Sequence, residues 1–442
     1  MHTHAELLTR HRAVLPSWLA LYYDEPIALV RGEGRHVWDA EGTRYLDFFG
    51  GILTTLTAHA LPEVVHAVQE QAARILHTST LYLIESQIEL AEQIAALVPI
   101  DDPKVFFTTS GTEANEAALL LACTARRSNQ ILALRNSYHG RSFAAMAITG
   151  NRGWSASSLS PVQTSYVQGA YRYRSPWRDL SDDDYIAAGV ADLVDVLDTT
   201  TAGDVACLIA EPIQGVGGFA HPPDGFYGAL AEVLADRGIL FISDEVQTGW
   251  GRTGEHFWGF EAHGVTPDVI TFAKGLGNGL SLAGVVAPAT LMDGVAANSI
   301  STFGGNPLAT AAGTANLRYL LANELQDHAH KAGQQLRRHL VDGLEEAPLV
   351  ADIRGKGLML GIELARDDLT AEPGVASQVL EHCRAAGLLV GKGGLYGNVL
   401  RITPPLTVTD DEIDEGARIL VQAIRGAVDA TQTRGTTPAR GR

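Results

Sequence analysis

The stretch VITFAKGLGNGL (Val269–Leu280) decides how the chain is read. Val269–Phe272 is a short, almost wholly apolar run, and Lys274 stands just behind it, followed by glycine. A strand this apolar is buried on both faces, whereas lysines normally extend their ammonium into water. A lysine closing such a strand loses solvent, its pKa falls, and the free amine becomes a nucleophile for carbonyl groups. Only five lysines occur in 442 residues, so the comparison is short. Lys104 leads into a strand, Lys331 lies in a polar helix, and Lys356 and Lys392 sit in glycine-rich turns. Gly275, Gly277 and Gly279 read as turn residues, because they lack the spacing and the downstream acidic residue of a dinucleotide loop.

Outward from this stretch the same pattern repeats. Lys104–Thr108, Ile131–Leu134, Val205–Ala210, Ile239–Ser243 and Leu282–Ala287 are further apolar runs bounded by turns. With the helical stretches Thr112–Arg127, Pro307–Ala322 and Leu325–Leu344, they predict an α/β fold whose large domain has a mostly parallel central sheet. Glu41-Gly42 reads as a hairpin turn between His36–Asp39 and Tyr45–Phe49. Near the C-terminus, short strands (Gly357–Leu364, Leu388–Val390, Val399–Ile402) alternate with helices (Val375–Ala386, Asp410–Arg425), which predicts a smaller α+β domain. The expected division is 1–55 for an N-terminal arm and a segment packing with the small domain, 56–325 for the large domain and 326–426 for the small one. Residues 427–442, rich in Thr, Arg and Gly, are expected to form a disordered tail. The stretch Gly150–Ser181 reads as one long irregular loop.

Composition narrows the function. At 46% apolar and 19% charged residues the chain is ordinary globular material. A net charge of -18 opposes nucleic acid and anionic membrane. There is no run of about 18 apolar residues, and the polar N-terminus shows no signal segment. Three cysteines (Cys123, Cys207, Cys383) make no disulfide framework, so a reducing cytoplasm is expected. No Cys/His spacing suits zinc, and His328 and His330 lie in a polar helix, so no metal is expected.

Two other strand ends carry chemistry. Ser110–Glu116 follows a strand and opens a helix, where unpaired backbone N–H groups make an anion site. The same residues serve equally as a helix cap. Ser243-Asp244-Glu245 ends a very apolar strand, at the edge where α/β sheets bind ligands. Neighbouring strand side chains alternate, so only one of the two carboxylates faces that crevice. A phosphate cradle, an inward carboxylate and a desolvated lysine suit a cofactor with a phosphate, a basic ring nitrogen and an aldehyde, namely pyridoxal 5'-phosphate (PLP).

The segments SGTEANEAA (110–118), SYHGRS (137–142), EPIQG (211–215), DEVQTGWGRTG (244–254), TFAKGLGNGL (271–280), STFGGNP (301–307), RGKGLMLGIEL (354–364) and LRITPPL (400–406) resemble the class III aminotransferases of PLP fold type I. The resemblance runs in order from about residue 24 to 425. It implies that Lys274 carries the cofactor covalently and shuttles a proton, and that Asp244 keeps the ring nitrogen protonated. It places Val246 and Tyr138 on the two ring faces, with His139 ordering the loop beside them. Gln247 would reach the phenolic oxygen. Ser110, Gly111 and Thr112 would bind the phosphate, joined by Thr302 from a neighbouring subunit. Arg401 would bind the α-carboxylate, while Ile52, Arg141, Val216 and Glu211 match pocket-lining positions. Simple packing for Tyr138 and a structural ion pair for Arg401 are the plainer readings. The resemblance also implies a homodimer, or a dimer of dimers, with shared active sites.

One departure bears on substrate. Many members carry a glutamate just after the EPIQG segment that pairs with the substrate arginine, and here that position is Val216. Arg401 is therefore expected to lack a switch partner. Arg141 matches the arginine that grips a distal carboxylate in 4-aminobutyrate-type members. The expected reaction moves an amino group from an ω-amino acid, such as 4-aminobutyrate or β-alanine, to a 2-oxo acid (2-oxoglutarate, pyruvate or glyoxylate). An alanine–glyoxylate-type transaminase, or a decarboxylating transaminase or aminomutase on the same fold, is the alternative.

Overall fold

The computed structural model describes residues 2–435. β1 (Leu29–Glu33), β2 (His36–Asp39) and β3 (Arg44–Asp47) form an antiparallel N-terminal sheet. The expected hairpin is present, and Asp39 fixes its turn by accepting the backbone N–H groups of Glu41 and Thr43 at 3.0 and 2.9 Å.

The central sheet holds β4 (Pro103–Thr108), β5 (Gln130–Leu134), β6 (Gln163–Val167), β7 (Cys207–Ala210), β8 (Leu240–Asp244), β9 (Val269–Phe272) and β10 (Ala283–Pro288). Its spatial order is β4-β10-β9-β8-β7-β5-β6. All pairings are parallel except those of β10, which runs against both neighbours. The mostly parallel sheet is as the apolar runs predict. An apolar run reads the same in either direction, so the reversal of β10 is not visible in it. β6 lies inside the stretch read as loop: it is an edge strand with only Val167 buried, and it shows no apolar alternation.

The third sheet is antiparallel, with β11 (Val350–Lys356), β12 (Met359–Leu364), β15 (Val399–Ile402) and β14 (Gly391–Gly393) in that order. β13 (Leu388–Leu389) instead lies parallel beside β3, so both ends of the chain share one sheet. The helix Asp410–Gly435 runs past the expected stop at Arg425. Ile424, Ala427 and Val428 continue its apolar stripe at helical spacing and are wholly buried, so the tail expected from residue 427 is helical through 435. Residues 436–442 lie outside the described residues. Among the described residues no helix is long and apolar enough to cross a membrane.

Because β4, β5, β7, β8 and β9 run the same way, their C-terminal ends lie along one edge. That edge presents Ser110, Tyr138, Glu211, Asp244 and Lys274 in neighbouring loops or strand ends.

Glu363 on β12 ties the large and C-terminal parts together. Its carboxylate accepts from Arg354 Nη1 at 2.7 Å, Arg174 Nε at 2.7 Å, Asn398 Nδ2 at 3.2 Å and the Tyr171 hydroxyl. Burial alone would raise its pKa, but Arg354, Tyr171 and Arg174 outweigh it and hold the carboxyl below the ordinary value. Its stabilising contribution is therefore full above pH 4.5 and is lost as pH falls through the lower folded value. Glu363→Ala leaves Arg354 and Arg174 buried without their shared anion and should cost about 3–5 kcal/mol in urea unfolding. A loss under about 1 kcal/mol would show that the cluster is not fully desolvated.

Candidate active site

The cradle begins with β4. Ser110 leaves the strand extended and caps the helix Gly111–Arg126, its Oγ accepting the Glu113 N–H at 3.2 Å. The first-turn N–H groups therefore open toward the strand ends. Gly111 is needed there, since a Cβ would lie 3.1 Å from both methyls of Val246. Gly140 closes the same corner at φ 139°, where a Cβ would fall 2.6 Å from Thr112 Oγ1.

Asp244 ends β8 and is buried. Its Oδ2 accepts from Asn115 Nδ2 and meets His139 Nδ1, both at 2.8 Å. Oδ1 accepts the Val246 N–H at 3.2 Å. Asn115 also donates to the His139 carbonyl at 2.8 Å and accepts from Thr271 Oγ1 at 2.7 Å. The neighbouring Glu245 points the other way, into bonds with Thr248, Ser243 and the backbone of Gly259 and Phe260. The alternation rule thus assigns Asp244, not Glu245, to the crevice.

Lys274 follows β9 at φ 42°, a left-handed conformation that costs a non-glycine residue about 1–2 kcal/mol. Strain of this kind is kept where it aims a side chain. Its ammonium makes no hydrogen bond within the described residues. Burial lowers its pKa to about 8, with Asp244 and Glu211 raising it and Arg401 lowering it further.

These groups line one cavity of about 370 Å³ with Ser110, Gly111, Thr112, Tyr138, His139, Glu211, Val246 and Gln247. Glu211 braces its wall, accepting the N–H groups of Tyr138 and Gly215, both at 2.8 Å. Burial pushes the Glu211 carboxyl up to about 7, a rise that His139 opposes and Asp244 reinforces. Burial likewise raises Tyr138, which Arg141 partly offsets. A larger hollow, about 730 Å³, lies beside Arg354 and Lys356. Both of those cations are already paired, Arg354 with Asp352 and Glu363 and Lys356 with Asp224 and Glu255, whereas the smaller cavity holds Lys274 with no hydrogen-bond partner among the described residues.

Five other expected positions do not line this cavity. Arg401 is buried on β15, its Nη2 donating to Gln247 Oε1 at 2.9 Å. Val216 supplies no carboxylate, and the partner that Arg401 does have is a neutral carboxamide from another segment. Val216 is buried next to it, and its carbonyl accepts from Gly394. Arg141 is exposed, with its guanidinium 5.5 Å from the ring centre of Trp18. Ile52 is exposed in a kink where it and Leu53 are left-handed. Thr302 is on the surface next to Phe303, whose ring is 61% exposed.

Asn115 is the residue that sequence reasoning missed. It lies four residues after Gly111 and three after Thr112, on the same helix face, so the cue was present inside the SGTEANEAA segment. Thr54, Thr109 and Ser281 also line the cavity and carried no signal.

The donor set suits a phosphorylated pyridine aldehyde: a helix N-terminus for the phosphate, a fixed carboxylate for the ring nitrogen and an unpartnered amine for the carbonyl. Comparison with known proteins agrees. Residues 21–424 match the family model described as aminotransferase class-III. The mitochondrial alanine–glyoxylate aminotransferase 2 homolog 2 of Arabidopsis thaliana is 40% identical over 92% of this chain and 85% of its own. The 4-aminobutyrate aminotransferase GabT of Escherichia coli is 36% identical over 96% of this chain and 98% of its own. The (S)-enantioselective omega-transaminase of Thermomicrobium roseum superposes with a TM-score of 0.88 at 34% identity, covering 97% of this chain and 99% of its own.

The lowered pKa of Lys274 has a kinetic signature. A neutral amine forms as pH rises past the pKa, so capture of added PLP by the cofactor-free protein should accelerate through pH 8 and then level off. Stopped-flow absorbance reads this rate. A rate still climbing steeply toward pH 10.5, the ordinary lysine value, would show that the amine is not desolvated.

Proposed function

Since the chain belongs to the class III aminotransferases, a PLP-dependent family, we propose that it transfers an amino group from an ω-amino acid of the 4-aminobutyrate or β-alanine type to a 2-oxo acid (2-oxoglutarate, pyruvate or glyoxylate). The observation that carries this reading is a desolvated, unpartnered Lys274 sharing one cavity with a rigidly held Asp244.

PLP, when bound, supplies an aldehyde for the incoming amine and a ring that accepts electrons from the adjacent carbon. The chain's own residues do the rest. Ser110, Gly111 and Thr112 direct N–H and hydroxyl groups at the phosphate. Asp244 holds a proton on the ring nitrogen, a charge-assisted bond worth roughly 1.5–3 kcal/mol. Val246 and Tyr138 confine the ring. Lys274 Nζ would hold the cofactor's carbonyl carbon and, as a free amine, would be the base that moves a proton at the substrate carbon. Arg401 receives the carboxylate beside that carbon, and Arg141 receives a distal one.

A second reading has its own support. Val216 is apolar and Arg401 is clasped by an amide, so a donor bearing its carboxylate beside the amine, such as alanine, meets no competing anion. This favours the alanine–glyoxylate pairing.

We also propose that the working unit is a homodimer in the cytoplasm. Leu81, Tyr82, Leu83, Ile300 and Phe303 are exposed at 70%, 71%, 93%, 48% and 61%, and the His77 ring stands 5.1 Å from that of Phe303. An apolar surface of this kind marks an interaction site, and Ile300 and Phe303 flank Thr302 in the chain.

Single amines offered without an acceptor test the reading. 4-Aminobutyrate, β-alanine and alanine should each be scored by loss of the bound-cofactor absorbance, and glyoxylate, pyruvate and 2-oxoglutarate by its return. At least one donor and one acceptor should respond, and Lys274→Ala should lose turnover at least ~10⁴-fold. Release of carbon dioxide, or an amine that shifts within one molecule, would replace transamination by the alternative chemistries.

A further inference from the structure

Arg401 is a cation with too few partners. Its guanidinium lies 4.8 Å from the ring centre of Phe219 and 5.5 Å from that of Phe49. Of its five N–H donors, one finds Gln247 Oε1, and Nε is buried with no acceptor. Among the described residues no carboxylate is bonded to it. Glu211 is spent on the backbone of Tyr138 and Gly215. Val216 offers only a carbonyl, already taken by Gly394. Burial pulls its pKa to about 10, with Tyr22 and Glu211 opposing the fall. That value leaves the guanidinium charged at neutral pH.

Gln247 has the complementary arrangement. Arginine can only donate, so the carboxamide must turn its oxygen to Arg401. The amide nitrogen is then the end available to the cavity that Gln247 lines. The side chain is wedged against Gly215, where a Cβ would sit 2.1 Å from Gln247 Cδ, so no bulkier neighbour fits.

We infer that Gln247 is a neutral, displaceable clasp for Arg401 and thereby determines which carboxylates the pocket accepts. The inference rests on the reading of Arg401 as the carboxylate site. A substrate carboxylate exchanges one bond to an amide oxygen for a paired, ionic one, which is roughly twice as strong. A resident carboxylate would compete with it on equal terms. A donor with no carboxylate beside its amine leaves Arg401 on Gln247, and no charge is stranded. The clasp therefore admits both substrate types to one pocket, with the advantage to those that carry a carboxylate next to the reacting carbon.

The probe is propionate, a carboxylate with neither amine nor carbonyl, titrated calorimetrically into the cofactor-loaded enzyme. Gln247→Glu installs a charged competitor and should weaken propionate at least ten-fold. Gln247→Met removes the acceptor at similar size and should change propionate less than three-fold. The KM for glyoxylate should follow the same order, while the KM for 4-aminobutyrate should rise in Gln247→Met, where Arg401 loses its partner. Equal effects of the two substitutions on propionate, or none, would overturn the clasp. Arg401→Met is the reference: if it still binds propionate as the unaltered enzyme does, the reading of Arg401 itself fails, and the clasp with it.

Discussion

The site depends on one buried carboxylate being held still. Asp244 sits at the end of a central strand, out of water, where a charge needs hydrogen-bond donors to be buried at all. Asn115 and His139 each bond the same oxygen at 2.8 Å. Asn115 in turn is fixed by Thr271, three residues before Lys274. These bonds join β8, β9, the helix Gly111–Arg126 and the loop of His139. The same helix offers its N-terminus to an anion. Acid, amine and anion site are thus set relative to one another by a single network, and half-satisfying it would be worse than replacing it with apolar residues.

In and around this cavity the charges are set by their surroundings. Lys274 is pushed toward neutrality, Glu211 is raised to about 7, and Arg401 stays a cation only because guanidinium starts so high. In a chain of net charge -18, Arg401 is a buried cation lying against the rings of Phe219 and Phe49. Its hydrogen-bond partner is the neutral amide of Gln247.

The parts legible in the sequence are those where a residue contradicts its surroundings. A lysine behind VITF and an acid behind FIS stand out against apolar strands, and both lie at the cavity. The helix-opening SGT segment is legible because strand, small residues and helix follow in order. Contacts that depend on tertiary distance are not. Asn115 looks like any polar helix residue until Asp244, 129 positions on, is beside it. Gln247 and Arg401 are 154 positions apart, and only the placement of β15 against the large sheet joins them. Edge strand β6 shows no apolar alternation, whereas Ile424, Ala427 and Val428 do keep helical spacing, and the stop expected at Arg425 comes from the Thr/Arg/Gly-rich composition beyond them. Thr302 and Ile52 lie outside this cavity, both on the exposed surface.

The central claim is that Asp244 acts by its charge, not by filling space. Asp244→Asn keeps the shape and the bond to Asn115 or His139 after an amide turn, but it cannot hold a proton on the ring nitrogen. The decisive measurement is single-turnover rate alongside cofactor content in this variant. The account predicts near-full PLP occupancy and a rate lower by ~10²–10³-fold, the usual cost of losing one preorganised electrostatic partner. A variant that holds PLP and turns over within a few-fold of the unaltered enzyme would contradict it.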